Sequence, residues 1–200
     1  MTHKTYTLYH YHEWLLLLLL TGCLYYFAGS ASLVQETQHM RQFDRALGQT
    51  MQSQAPKEGL VKLLTQYQQK TKASDGYLWF HLGQVWEMVG EVLPAQQAYA
   101  KAYARYPEHP EVLAHYAQTY STQQQPLPTF LAQDVEQSLV TTPEQPELWN
   151  ILAMNAFLQK QYPEALGYWH KMLPHIAQDL KLQEMIKKAM AVAEQKQNGS

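Results

Sequence analysis

Apolar positions fall along this chain in two regimes. Between Glu13 and Glu36 they form one uncharged run, Trp14 to Val34, which opens with six consecutive leucines after Trp14. Beyond it they recur every three or four residues, interrupted by short stretches with proline or glycine, which is the period of helices that bury one face. A helix rises ~1.5 Å per residue, so about 20 residues cross the ~30 Å hydrocarbon layer of a bilayer. The first regime therefore predicts an N-terminal tail over residues 1–13 and a single transmembrane helix over residues 14–34, with Trp14, Tyr25 and Tyr26 as interfacial rings. Leu20-Thr21-Gly22-Cys23 also has the form of a bacterial lipobox, in which Cys23 becomes the lipidated start of a cleaved chain. Little positive charge precedes the run and apolar residues continue past Cys23, so an uncleaved signal anchor is the preferred reading. Lys4 on one side faces Arg41 and Arg45 on the other, which leaves the membrane orientation open.

The second regime repeats itself. From Trp79 the chain reads Trp79, Leu82, Gly83, Trp86, Ala95, Tyr99, Ala102 and Pro107. Each place holds the residue, or a close aromatic or small substitute, of the W-x2-L-G-x2-Y … A-x3-F … P pattern of the 34-residue tetratricopeptide repeat. Each residue type has a physical reason. Trp79, Leu82 and Trp86 share one face of a first helix, and Gly83 and Ala95 are small enough to let a second, antiparallel helix approach. Tyr99 and Ala102 face back from that second helix, and Pro107 ends it because it lacks an amide proton. A second copy has Leu113, Tyr116, Ala117 and Tyr120, then Leu131, Val135, Ser138 and Pro143. Its connection, Ser121 to Thr129, is lengthened by two residues and made a loop by Pro126 and Pro128. The third copy is Trp149, Leu152, Ala153, Ala156, Ala165, Trp169 and Met172, with Pro174 as an early stop. The fold class is therefore all-α: a tetratricopeptide-repeat superhelix of antiparallel helix pairs behind a single N-terminal transmembrane helix.

Flanking segments complete the plan. Residues 57–197 are expected to form the repeat domain, opened by an apolar-faced helix over Glu58 to Lys72 and closed by an amphipathic cap over Leu180 to Gln195. Residues 35–56 read as an amphipathic juxtamembrane helix and linker. Met40, Phe43, Leu47 and Met51 lie along one face of it, able to continue the membrane helix or to pair with a partner helix, and a hinge is expected from Ser53 to Pro56.

Composition removes several chemistries. Charged residues make up 16% of the chain and the formal net charge is −2. No basic stripe is present, so nucleic acid is not expected as a partner. Cys23 is the single cysteine, which leaves the region after the membrane segment without a disulfide or a cysteine-based zinc or redox site. The nine histidines show no HxxxH or HExxH spacing. His10 and His12 belong to the N-terminal tail, and His81, His115, His170 and His175 read as surface or structural side chains. Glu108, Glu111, Glu144 and Glu147 gather at helix starts, where they complement the helix dipole. With no nucleophile elbow, phosphate loop or dinucleotide fingerprint, the expectation is a binding scaffold without catalytic residues, metal or cofactor.

Binding is expected on the inner curve of the stack, which the first helix of each pair lines. The inward places are Tyr77, Phe80, Gln84, Glu87 and Met88 in the first copy, and Ala114, Gln118 and Ser121 in the second. In the third they are Asn150, Met154, Phe157 and Leu158. Apolar side chains there supply contact energy and amides satisfy a bound backbone, so the ligand class is an extended peptide or a partner helix. Phe80 and Phe157 have a competing use as packing between helices, and Glu87 by itself reads as a solvated carboxylate.

Over Asp75 to Pro174 the chain resembles the tetratricopeptide domain of the CcmI/NrfG-type subunits of bacterial cytochrome c maturation. The likeness is carried by Gly76-Tyr77-Leu78-Trp79-Phe80-His81-Leu82-Gly83, by Ala95-Gln96-Gln97-Ala98-Tyr99, by His109-Pro110-Glu111-Val112-Leu113 and by Tyr162-Pro163-Glu164-Ala165-Leu166. The lengthened second repeat and the one-helix anchor agree with it. The resemblance implies a single-pass protein of the bacterial inner membrane with its C-terminal domain in the periplasm. That domain would capture the C-terminal segment of an apocytochrome c and present it to the membrane subunits of the haem lyase, to which haem attachment itself belongs. Larger members of that family carry two membrane helices and a cytoplasmic segment, where this chain has one. Many unrelated adaptors share the tetratricopeptide motif, so a general envelope adaptor for pilus, secretion or cell-wall assembly is the alternative.

Overall fold

The computed structural model describes residues 34–35, 37–53 and 55–199, and the regular structure among them is helical throughout. The expected membrane helix lies outside the described residues except for Val34. Among the described residues no helix is long and apolar enough to cross a membrane. Helix α1 covers residues 37–51. There follow α2 (Pro56–Lys70), α3 (Gly76–Val89), α4 (Val92–Arg105), α5 (Pro110–Thr122), α6 (Thr129–Thr141), α7 (Pro146–Leu158), α8 (Tyr162–Met172) and α9 (Leu180–Asn198), with a 3-10 turn at Leu173–Ile176 before the last.

Local chemistry places these boundaries. Proline stands in the first turn of α2, α5, α7 and α8, where a missing amide proton costs nothing, and Glu58, Glu111, Glu147 and Glu164 add negative charge to the same turns. Helix α3 stops at Gly90, whose φ of 90° suits a residue without Cβ. Gln124 and Lys160 hold the same place in the second and third repeats, also left-handed at φ 55° and 62°.

Packing follows the repeat. Helices α3 and α4 form one pair, α7 and α8 another, α4 rests on α5, α5 on α7, and α8 on α9. The small-against-aromatic contact is at its closest at Gly83, where a Cβ would fall 2.4 Å from Cε1 of Tyr99. Ala95, Ala98 and Ala102 are fully buried along the facing helix. One core runs from Phe43 to Leu152 and a second around Trp169, Ile186 and Met190, joined through Trp149 and Tyr168, which pack against both.

Two peripheral segments are bound into this stack. Helix α1 pairs with α2 of the same chain: Phe43 is fully buried and meets Tyr67 edge-on at 5.0 Å. His39 Nδ1 lies 3.0 Å from the carboxylate of Asp75, tying α1 to the start of α3. In the connection between α5 and α6, Leu127 is buried and its N–H donates to Asn155 Oδ1 of α7 at 2.8 Å. That loop is thereby fastened to the third repeat.

Candidate functional site

The first helices of the repeat pairs come together along one side of the stack, with α5 on α7 and side chains of α5 meeting those of α3. Glu87, in the last turn of α3, is the centre of that junction. Its Oε2 accepts from the Tyr99 hydroxyl of α4 at 2.7 Å and lies 3.1 Å from Nδ1 of His115 on α5. Tyr99 Oη is also 3.2 Å from that nitrogen. With its proton on Nδ1 the imidazole donates to the same carboxylate, and protonation of the ring turns the bond into an ion pair. Phe80 packs over the group, its ring edge-on to His115 at 5.3 Å and 5.7 Å from Tyr99.

Burial works against the charge of Glu87, but hydrogen bonds from His115 and Tyr99 and the charge of His115 outweigh it, holding the carboxyl below its ordinary value. Burial, followed by the bond to Glu87, pushes the Tyr99 hydroxyl far above the usual tyrosine range, so it stays a donor. One acceptor held by two donors from two other helices locks α3, α4 and α5 into one arrangement. Around α6 a related contact recurs, for Tyr103 of α4 donates to Asp134, and burial ahead of that bond pushes the phenol up to about 12.

The structure separates the residues expected on the inner face. Phe80 and Glu87 are drawn into the junction. Phe80 is only 8% exposed, so it supports the face from beneath instead of lining it, and Glu87 is a tied carboxylate, not a solvated one. Asn150 and Phe157 gather on Trp169 of α8. Asn150 Oδ1 accepts from the indole N–H at 3.1 Å, and the half-buried Phe157 ring lies 6.1 Å from Trp169 and 5.5 Å from Tyr162. Tyr77 sits apart at the start of α3, 44% exposed with its ring 4.6 Å from Tyr106. Gln84, Gln118 and Met154 are half-buried, and Met88 is exposed. His115 and Tyr99 were not expected to take part in the site. The signal that points to them is repeat register, which brings the last turn of one first helix against the second turn of the next. Among the described residues no three His, Cys, Asp or Glu side chains gather as a metal site.

Comparisons with known proteins bear on both fold and family. The family model described as the cytochrome c-type biogenesis protein H TPR domain matches residues 33–182. A search of curated proteins gives no match. Among solved structures, the Sgt2 TPR domain from Aspergillus fumigatus aligns with a TM-score of 0.50 at 20% identity, over 62% of this chain and 80% of that one. A MamA RS-1 ArsTM double mutant aligns with a TM-score of 0.57 at 13% identity, over 80% of this chain and 91% of the other. At those identities the two structures speak to the stacked helix pairs alone.

Proposed function

Since the chain belongs to the family of the cytochrome c-type biogenesis protein H TPR domain, we propose that it is a membrane-anchored adaptor of cytochrome c maturation. In this reading its inner face takes up the C-terminal segment of an apocytochrome c and presents it to the membrane subunits of the haem lyase. The family match over residues 33–182 is the observation that carries it. The inner face lends support. Met88, Met154 and the open part of Phe157 offer adaptable apolar contact, and Gln84 and Gln118 bring amides for a bound backbone. The clasp of Glu87, Tyr99 and His115 keeps the face preformed, so little ordering is lost when a client segment docks.

The uncharged run at 14–34 serves in this proposal as the anchor in the bacterial inner membrane, with the repeats in the periplasm. Haem attachment stays with the lyase. Past Cys23 the chain has no thiol, so its repeats cannot form a mixed disulfide with the cysteines of a client. Titration of the full-length chain in mild detergent with peptides from c-type cytochrome C-termini tests the reading. Saturable binding is expected at or below about 100 µM, a free energy of roughly −5.5 kcal/mol. Met88→Glu, at an exposed position, is expected to weaken it about fivefold or more with the melting temperature unchanged. Failure of every such peptide to bind at that level would sink the proposal and leave the general envelope adaptor.

A further inference from the structure

Repeats one and three fill an equivalent space with the same pair of side chains, and repeat two does not. In the first, Trp79 packs beneath Lys101, whose Nζ is 3.8 Å from the ring centroid, and its N–H donates to the Lys72 carbonyl at 2.8 Å. In the third, Trp149 lies under Lys171 at 5.1 Å and donates to the Pro143 carbonyl at 2.8 Å. The corresponding residues of repeat two are Leu113 and Gln137, and the place of Pro143 is taken by Pro107. Leu113 is shorter than an indole and has no N–H to offer that carbonyl. Between α5 and α6 lies an open cleft of about 530 Å³, with Leu113, itself only 2% exposed, at the edge of its lining. Pro107 and Pro110 give it apolar walls. Among the described residues its charged side chains are Glu108 and Asp134, with no lysine or arginine in the lining.

We propose that this cleft is a socket for a tryptophan side chain of a partner protein that carries a lysine or arginine beside that tryptophan. The chain's own repeats show what the space accepts: a flat ring, an N–H aimed at a carbonyl, and a cation against the ring. In repeats one and three the chain supplies all of these. In repeat two the cleft offers the exposed carboxylate of Glu108 and that of Asp134, which also holds the Tyr103 hydroxyl, so ring and cation come from outside, and a cation matches those charges. The socket lies between the two helices of one pair, is distinct from the inner-face residues, and does not depend on the identity of the client proposed for them.

Fluorescence anisotropy of a dye-labelled Lys-Trp-Lys tripeptide, titrated with the full-length chain, tests the socket. Binding is expected to be about fivefold or more tighter than for Lys-Ala-Lys, the margin of a ring and cation contact. Leu113→Trp puts an indole from the chain itself into the space. It is expected to cut tripeptide binding about fivefold. Glu108→Lys, at an exposed position, is expected to weaken binding about threefold with the melting temperature unchanged. Equal binding of the two tripeptides, no saturation by roughly 1 mM, or full binding by a folded Leu113→Trp variant would overturn the proposal. If that variant does not fold, undiminished binding by Glu108→Lys would overturn it instead. Met88→Glu, on the inner face, is expected to leave tripeptide binding intact, so the socket and the inner face are tested separately.

Discussion

Gly90, Gln124 and Lys160 end the first helix of their repeats with φ of 90°, 55° and 62°. A Cβ in that left-handed region costs roughly 1 kcal/mol, less what glycine loses in unfolded-state entropy. Gln124→Gly and Lys160→Gly are therefore each expected to stabilise the chain by about 0.5 kcal/mol, read as a higher urea midpoint at unchanged slope. A fall in midpoint would mean that the two side chains carry contacts worth more than the backbone strain. Glu87 gives the second expectation among single side chains. Its carboxyl titrates below the ordinary value of 4.5, so its contribution to stability is complete above that value and is lost as pH falls through the lowered one. Glu87→Gln should cost about 1 kcal/mol at pH 7, and its deficit against the parent chain should close as pH is taken from about 5 toward 3. A gap that is constant with pH would show that the carboxylate is not the clasp.

The connection between α5 and α6 is the loop its prolines require, but its docking is a matter of tertiary contact. Pro126 and Pro128 break the helical period, and residues between Thr122 and Thr129 are indeed non-helical. Nothing in that spacing says that Leu127 turns inward or that its amide finds Asn155 twenty-eight residues on. Asn155 Oδ1 accepts from both Leu127 and Gln159, so Asn155→Ala is expected to destabilise by about 1–2 kcal/mol and to raise amide exchange at Leu127. Unchanged protection there would place the anchor in the burial of the leucine side chain. The residues of the clasp were hidden for a related reason: Tyr99 matches a packing place of the repeat, and its hydroxyl enters the site only because α4 passes between α3 and α5.

Stacked repeats are held by neighbours, so a loss at one end is felt locally before it spreads. Phe43 is the fully buried contact of α1 in the large core, and Phe43→Ala is expected to cost about 3–5 kcal/mol. Hydrogen exchange should rise first in α1 and α2 and least in α7 to α9, the graded response of a one-dimensional array. A uniform rise would mean that the stack unfolds as one unit. The same burial makes α1 part of the repeat core, although its apolar stripe of Met40, Phe43 and Leu47 reads equally well as the lower turns of a membrane helix or the seam of a partner helix.

That ambiguity marks the boundary of what can be read without coordinates. Helix starts and stops, the pairing of α3 with α4, the small residues at Gly83 and Ala95 and the capping role of α9 are local consequences of period, proline, glycine and side-chain size, and these are written into the order of residues. A stripe states that a face will be buried, not which surface covers it. The partner of α1, the inward turn of Leu127, the burial of Phe80 and the clasp at Glu87 each depend on which helices lie side by side. Hydrophobic burial has no direction of its own, and only the assembled stack selects its neighbours.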